Sequence, residues 1–198
     1  MIKLGIFIIP DKNLKKEILF QKKKIKLHLG SQKYLSHLPH CTVCVLNVRN
    51  SFIKNMKRLK IKKIKFKNEL KIEKKDIFFN DPITNGNTLV YKVEKNKFLK
   101  NLQLNIIKLL ENYIVYKKIN FKTKTMNKNY KKFGYPFVST LWKPHFTVAS
   151  LLKLKKNYKI LREFKNENRY NFCQKIKKIN LYQIIGNKHR YLWTIKIS

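Results

Sequence analysis

The sequence predicts an α+β protein in two halves, each delivering one strand of the same pattern to a shared cleft. Three observations predict it. A short pattern occurs twice, as Pro39-His40-Cys41-Thr42-Val43 and as Pro144-His145-Phe146-Thr147-Val148. Each copy is a β-prone apolar run entered through a proline, the signature of a strand. Helical and strand periodicities alternate along the 198 residues. Residues 96–116 carry Phe98, Leu99, Leu102, Ile106, Leu109, Leu110 and Tyr113 at the spacing of an amphipathic helix.

In chain order, Met1-Ile2-Lys3-Leu4-Gly5-Ile6-Phe7-Ile8-Ile9-Pro10 reads as a buried first strand. It is too short to span a membrane and has no small-residue cleavage site. Asp11 is placed to cap a helix whose apolar stripe begins with Leu14, Ile18 and Leu19. A basic connection through His28, Gly30 and Ser36 leads to the first motif strand, near residues 40–48. Asn50 to Lys60, with Phe52, Ile53, Met56 and Leu59, predicts a second helix. Residues 61–79 read as a strand, and Asn85-Gly86 as a hairpin turn leading into Leu89-Val90-Tyr91. The helix over 96–116 follows. Lys117 to Lys132 is basic with few apolar residues and reads as a mobile loop. The second motif strand occupies residues 143–151, Tyr158–Asn168 predicts a helix, and two strands near 176–185 and 190–197 flank a turn at Gly186-Asn187. The whole chain, 1–198, is expected to form a single bilobal domain.

The formal net charge is +37, from 47 Lys+Arg against 10 Asp+Glu. Such an excess favours a polyanion partner such as RNA. The competing explanation is compositional bias toward Lys, Ile and Asn. Three cysteines make no disulfide framework. Cys41 and Cys44 form a CxxC, but an offset of three puts them on opposite faces of a regular strand, and no second CxxC exists. Strand thiols in a reducing compartment are expected, with no metal and no cofactor. The protein is expected to be cytoplasmic.

In a regular strand His40, Thr42 and Cys44 share one face, and His145, Thr147 and Ala149 repeat the arrangement. Each copy offers an imidazole beside a hydroxyl. Histidine can give or take a proton near neutral pH, and threonine hydroxyls can donate to phosphate oxygens. The other three histidines, His28, His37 and His189, lack the pattern and are expected at the surface or in loops.

Two His-x-Thr strands separated by 105 residues resemble the two-histidine (2H) phosphoesterase superfamily, of the RNA ligase and 2′,3′-cyclic phosphodiesterase type. That resemblance implies a two-lobed, pseudo-symmetric α+β fold with antiparallel sheets around a central cleft and helices outside. It implies metal-independent hydrolysis of 2′,3′-cyclic phosphates at RNA or nucleotide ends. His40 and Thr42 would form one catalytic pair, and His145 and Thr147 the other. By the same analogy His145 is the general base and His40 the general acid. Gly134-Tyr135-Pro136-Phe137-Val138 resembles a bacterial branch associated with phosphonate metabolism, which implies a small sugar cyclic phosphate instead. A third possibility is a basic RNA-binding module whose motif strands are catalytically idle. Around the motifs, Lys143 and Arg190 are candidate phosphate contacts and Tyr135 and Tyr191 candidate stacking residues. Trp142 and Trp193 read as core.

Overall fold

The computed structural model describes residues 1–59, 68–81, 83–152, 157–166 and 172–197. Its elements in order are β1 (Ile2–Ile8), α1 (Lys12–Leu29), β2 (Cys41–Val48), α2 (Ser51–Asn55), β3 (Glu69–Phe78), β4 (Asn87–Val93), α3 (Lys97–Leu110), α4 (Lys124–Phe133), β5 (His145–Leu151), α5 (Tyr158–Asn166), β6 (Cys173–Lys175), β7 (Lys178–Ile185) and β8 (Lys188–Lys196). The part of the expected third strand over 61–67 lies outside the described residues, as do Lys60 and residues 167–168 of two expected helices.

The strands form one sheet in the order β6-β3-β4-β5-β2-β1-β7-β8, and every pairing is antiparallel. Both motif strands, β2 and β5, lie at its centre. Two units repeat the order strand, helix, motif strand: β1-α1-β2 and β4-α3-β5, the second with α4 inserted before β5. In each unit the two strands pair with each other, while each helix packs against the motif strand of the other unit, α1 on β5 and α3 on β2. This exchange gives the α+β fold its pseudo-symmetry and buries one continuous core.

The helices start where side-chain caps permit. Asp11 accepts a hydrogen bond from Leu14 N at 2.8 Å, and Asn96 accepts one from Leu99 N at 2.9 Å. Helix α1 buries Leu14, Ile18 and Ile25 but leaves Leu19 exposed. It also runs through His28, so the connection to β2 begins only at Gly30, whose φ is +69°. Helix α3 buries Phe98, Leu99, Leu102, Ile106, Ile107 and Leu110, each contributing about 1.5–3 kcal/mol relative to exposure. No helix among the described residues is long and apolar enough to cross a membrane.

The expected mobile loop over Lys117–Lys132 is instead mostly helix. Thr123 caps α4 by accepting from Met126 N at 3.1 Å, and Gly134 ends it in the left-handed conformation at φ +67°. Asn127 bonds both the N–H and the carbonyl of Phe121, and the Tyr130 hydroxyl accepts from Lys117 N. Only Tyr130 of the helix is buried, so no apolar stripe announces it.

Both motif strands carry a β-bulge at the same motif position. Opposite β1, Ile6 pairs with Cys44 and Phe7 with Thr42, leaving Val43 extra. Opposite β4, Leu89 pairs with Ala149 and Val90 with Thr147, leaving Val148 extra. Each bulge falls directly after the motif threonine and resets the alternation of faces. Cys44 therefore joins Leu46 and Val48 on the buried side, and Val45 and Asn47 take the half-exposed one. Cys44 and Ala149 do not share the histidine face.

The first bulge is held from below. Gln103 of α3 is fully buried, and its amide donates to Val43 O at 2.8 Å and to Phe137 O at 3.0 Å. Its oxygen accepts from Ser139 N at 3.3 Å. Gln103→Leu leaves these buried groups without partners and is expected to cost about 1–3 kcal/mol. A lowered midpoint of denaturant unfolding at constant slope checks this.

Candidate active site

Strands β2 and β5 meet at one ladder pair, Cys41 opposite Phe146. Both are fully buried. Extending the register by one residue each way sets His40 opposite Thr147 and Thr42 opposite His145. These four side chains lie on the other face, and all four are half-buried. The two histidines occupy one diagonal of this square and the two threonines the other. Such diagonal neighbours stand about 7–8 Å apart, room for one tetrahedral group between the imidazoles. Beyond this pair the strands part, and side chains take their free carbonyls: Gln103 bonds Val43 O, and Trp142 Nε1 donates to Thr42 O at 3.0 Å. Trp142, buried as expected, thus ties the lead-in of the second motif to the first.

The two imidazoles are set in the same way. His40 Nδ1 lies 2.7 Å from Leu38 O, and His145 Nδ1 lies 2.6 Å from Lys143 O. A carbonyl only accepts, so Nδ1 carries the proton in both rings and Nε2 is left for a substrate. Their surroundings differ. The His40 ring stacks on Phe7, centroids 4.1 Å apart, with His189 edge-on at 5.1 Å. His145 has the edge of Phe78 at 4.9 Å. Burial pushes His40 down to about 4, the Leu38 carbonyl opposing and His189, His37 and Lys22 adding to the fall. Burial also lowers His145, but the Lys143 carbonyl and the Asp81 carboxylate pull it back up.

Phe7 and Val90 are buried but stand outside the main core cluster. They floor the histidine face through their pairs with Thr42 and Thr147. Gly5 makes the Phe7 platform possible, because a Cβ there would sit 2.4 Å from Phe7 Cζ and 3.0 Å from both Cε atoms. The phenyl ring lies against Gly5 and is also the ring on which His40 stacks.

The remaining candidates divide. Lys143 is exposed beside His145, with Nζ 6.0 Å from the Phe78 ring centroid. Tyr191 is 54% exposed, packs against Tyr182 at 5.7 Å and bonds Thr194. Arg190 is a correction: it alternates with His189 and Tyr191 along β8 and so points to the opposite face. Tyr135 is another. It packs against the core, where burial and the neighbouring Cys44 and Cys41 thiols raise its hydroxyl, and those cysteines lie behind the site. Burial pushes Cys41 up to about 12 and Cys44 higher still, so both are neutral thiols. His37 lies in the loop between α1 and β2, as expected, but His189 sits within β8, and its ring stands 5.1 Å from both His40 and His37. Their only sequence signal was the aromatic residue two or three positions away on either side, Tyr34 and Tyr191.

Neither a protein-family model nor a curated protein sequence gives a significant match. Solved structures do match. The chain is similar to TT0787 of Thermus thermophilus (TM-score 0.63, 12% identity, 98% of this chain and 97% of that one). It is similar to a protein described as a phosphoesterase (TM-score 0.53, 14% identity, 98% of each chain). It is also similar to E. coli LigT crystallised with NADP+ (TM-score 0.54, 13% identity, 100% of this chain and 98% of that one).

Proposed function

We propose that this chain, which has the two-lobed fold of the two-histidine phosphoesterases, is a metal-independent phosphodiesterase that opens 2′,3′-cyclic phosphates at RNA or nucleotide ends. The observation that carries this reading is the square of His40, Thr42, His145 and Thr147 around one ladder pair. A phosphate at its centre has an imidazole Nε2 on each side along one diagonal, as in-line displacement requires. The two threonine hydroxyls flank it along the other and donate to the non-bridging oxygens. Similar proteins have been crystallised with nucleotides, E. coli LigT with 3′-AMP among them. The exposed Tyr191 ring beside Tyr182 offers a stacking face for a base, which favours a nucleoside over a bare sugar phosphate.

The electrostatics favour His40 as base and His145 as acid, the reverse of the order the resemblance implied. His40 is held neutral by burial and its cationic neighbours, so its Nε2 is free to take a proton from water. His145, with the Asp81 carboxylate drawing it toward the protonated form, supplies the proton to the departing ribose oxygen. One proton enters at His40 and one leaves from His145 per turnover.

The pH dependence follows with its sign. The rate kcat/KM rises as His40 loses its proton near pH 4 and falls as His145 loses its own, below the ordinary 6.5. The optimum is expected on the acid side of pH 6.5 in the presence of EDTA. Steady-state rates on a nucleoside 2′,3′-cyclic phosphate from about pH 3 to 8.5 test both the activity and the limbs. No turnover at any pH overturns the reading.

A further inference from the structure

We propose that His37 and His189 join His40 as a proton-coupled subsite for a tetrahedral dianion, namely the phosphomonoester left when the cyclic ester opens. The identity of that ligand rests on the proposed function; the subsite itself rests on geometry. Three imidazoles from two distant segments converge, His37 and His40 from the connection between α1 and β2 and His189 from β8. The His189 ring on β8 stands 5.1 Å from His40 and 5.1 Å from His37, edge-on to both. All three are half-buried, open to a ligand on one side. His189 pairs across from Ile184, in step with Tyr191 opposite Tyr182, which puts it on the face that holds Phe7 and Thr42. Ring edges at this spacing can reach oxygens of one phosphate group.

The loop that brings His37 is built for its place. Tyr34 takes a positive φ of 70°, and its ring meets His37 at 5.2 Å. The buried Lys22 of α1 donates to the carbonyls of Tyr34, Leu35 and His37. Around the cluster stand Phe7 from β1, Tyr182 from β7, Tyr34 from the loop and Lys22 from α1. Among the described residues, none of the three imidazoles bonds or pairs with a carboxylate, and no group of His, Cys, Asp or Glu is placed to hold a metal ion. Burial lowers His37, His40 and His189; the neighbouring imidazoles add to the fall at His40 and His189, and Lys22 adds to it at His37 and His40. The free cluster is therefore neutral near pH 7. A dianion supplies the missing negative charge, so its binding draws protons onto the rings. By reciprocity its affinity rises as pH falls. The effect on the reaction is product retention in acid and product release toward neutrality.

Calorimetric titration with sulfate tests this, with EDTA, at pH 5.5, 6.5 and 7.0, in two buffers of different ionisation enthalpy. Sulfate does not titrate in this range, so every proton taken up goes to the protein. The wild-type chain is expected to take up protons, with affinity rising about tenfold per pH unit for each. His189→Phe keeps a ring against Phe7 and His40 but cannot titrate. It should take up roughly one proton fewer and bind about tenfold more weakly at pH 5.5, converging on wild type at pH 7.0. His189→Gln should lose the same proton, which guards against a packing defect in the phenylalanine variant. Sulfate that binds without proton uptake is an adventitious ion only, and overturns the proposal. So does uptake unchanged in both variants, or no binding. The measurement involves no turnover. Inactivity on cyclic phosphates would remove the proposed function alone, and unchanged uptake in an active enzyme would remove the subsite alone.

Discussion

His40→Ala or His145→Ala is expected to lower kcat on a 2′,3′-cyclic phosphate by about 10²–10⁴-fold with little change in KM or in folding. Each ring is half-buried on the cleft face, held by a carbonyl two residues away and by aromatic contacts outside the ladder, so its removal leaves the ladder and the core intact. The two variants should separate when the leaving group needs no proton. On an aryl phosphodiester with an acidic phenol, His145→Ala should recover much of its loss, because only the acid has become unnecessary. His40→Ala should not recover, because water still needs a base. Recovery of His40→Ala instead would exchange the two roles. Circular dichroism and the unfolding midpoint of each variant establish that the fold is retained.

Gly5→Ala is expected to lower kcat by about 10²-fold, the size of effect that a misplacement of about 1 Å produces. The added methyl would stand 2.4 Å from Phe7 Cζ. The same ring is stacked on the His40 imidazole at 4.1 Å, so a displacement of the ring is passed on to that histidine. The second change Phe7→Leu removes the atoms that clash. Gly5→Ala with Phe7→Leu should regain stability relative to Gly5→Ala, while kcat stays low because the platform under His40 is gone. A shifted acid limb of kcat/KM in Gly5→Ala would show the effect reaching His40 itself. Recovery of full activity in the double variant would mean that Phe7 does not position the histidine.

How much of this was legible in the sequence depends on how local each feature is. The paired Pro-His-x-Thr-Val strands, the Asp11 cap, the α3 stripe and the closing hairpin around Gly186 all carry their signal within a few residues, and the structure has them. The turn signal at Asn85-Gly86 marked the β3–β4 connection, though β3 already ends at Phe78 and β4 begins at Asn87. Helix α4 was missed because one buried Tyr130 makes no periodic stripe. Thr123 and Gly134 mark its ends, but caps without a stripe between them read as loop. The bulges at Val43 and Val148 were invisible because a bulge is a relation to a partner strand, β1 or β4, and two-residue alternation carried Cys44 and Ala149 to the wrong face. The placement of His189 at His40 depends on the register of β8, a contact between segments more than a hundred residues apart, and that of His37 on a buried lysine of α1 whose partners no local pattern names. The same register turns Arg190 away.

The most direct measurement is opening of a short oligoribonucleotide ending in a 2′,3′-cyclic phosphate, in EDTA, by the wild-type chain beside the His40→Ala and His145→Ala variants. The expected result is complete conversion to a single monophosphate isomer by wild type, with both variants slower by at least about 10²-fold. Opening that is absent, that depends on added metal, or that persists in either variant would contradict the two-histidine site.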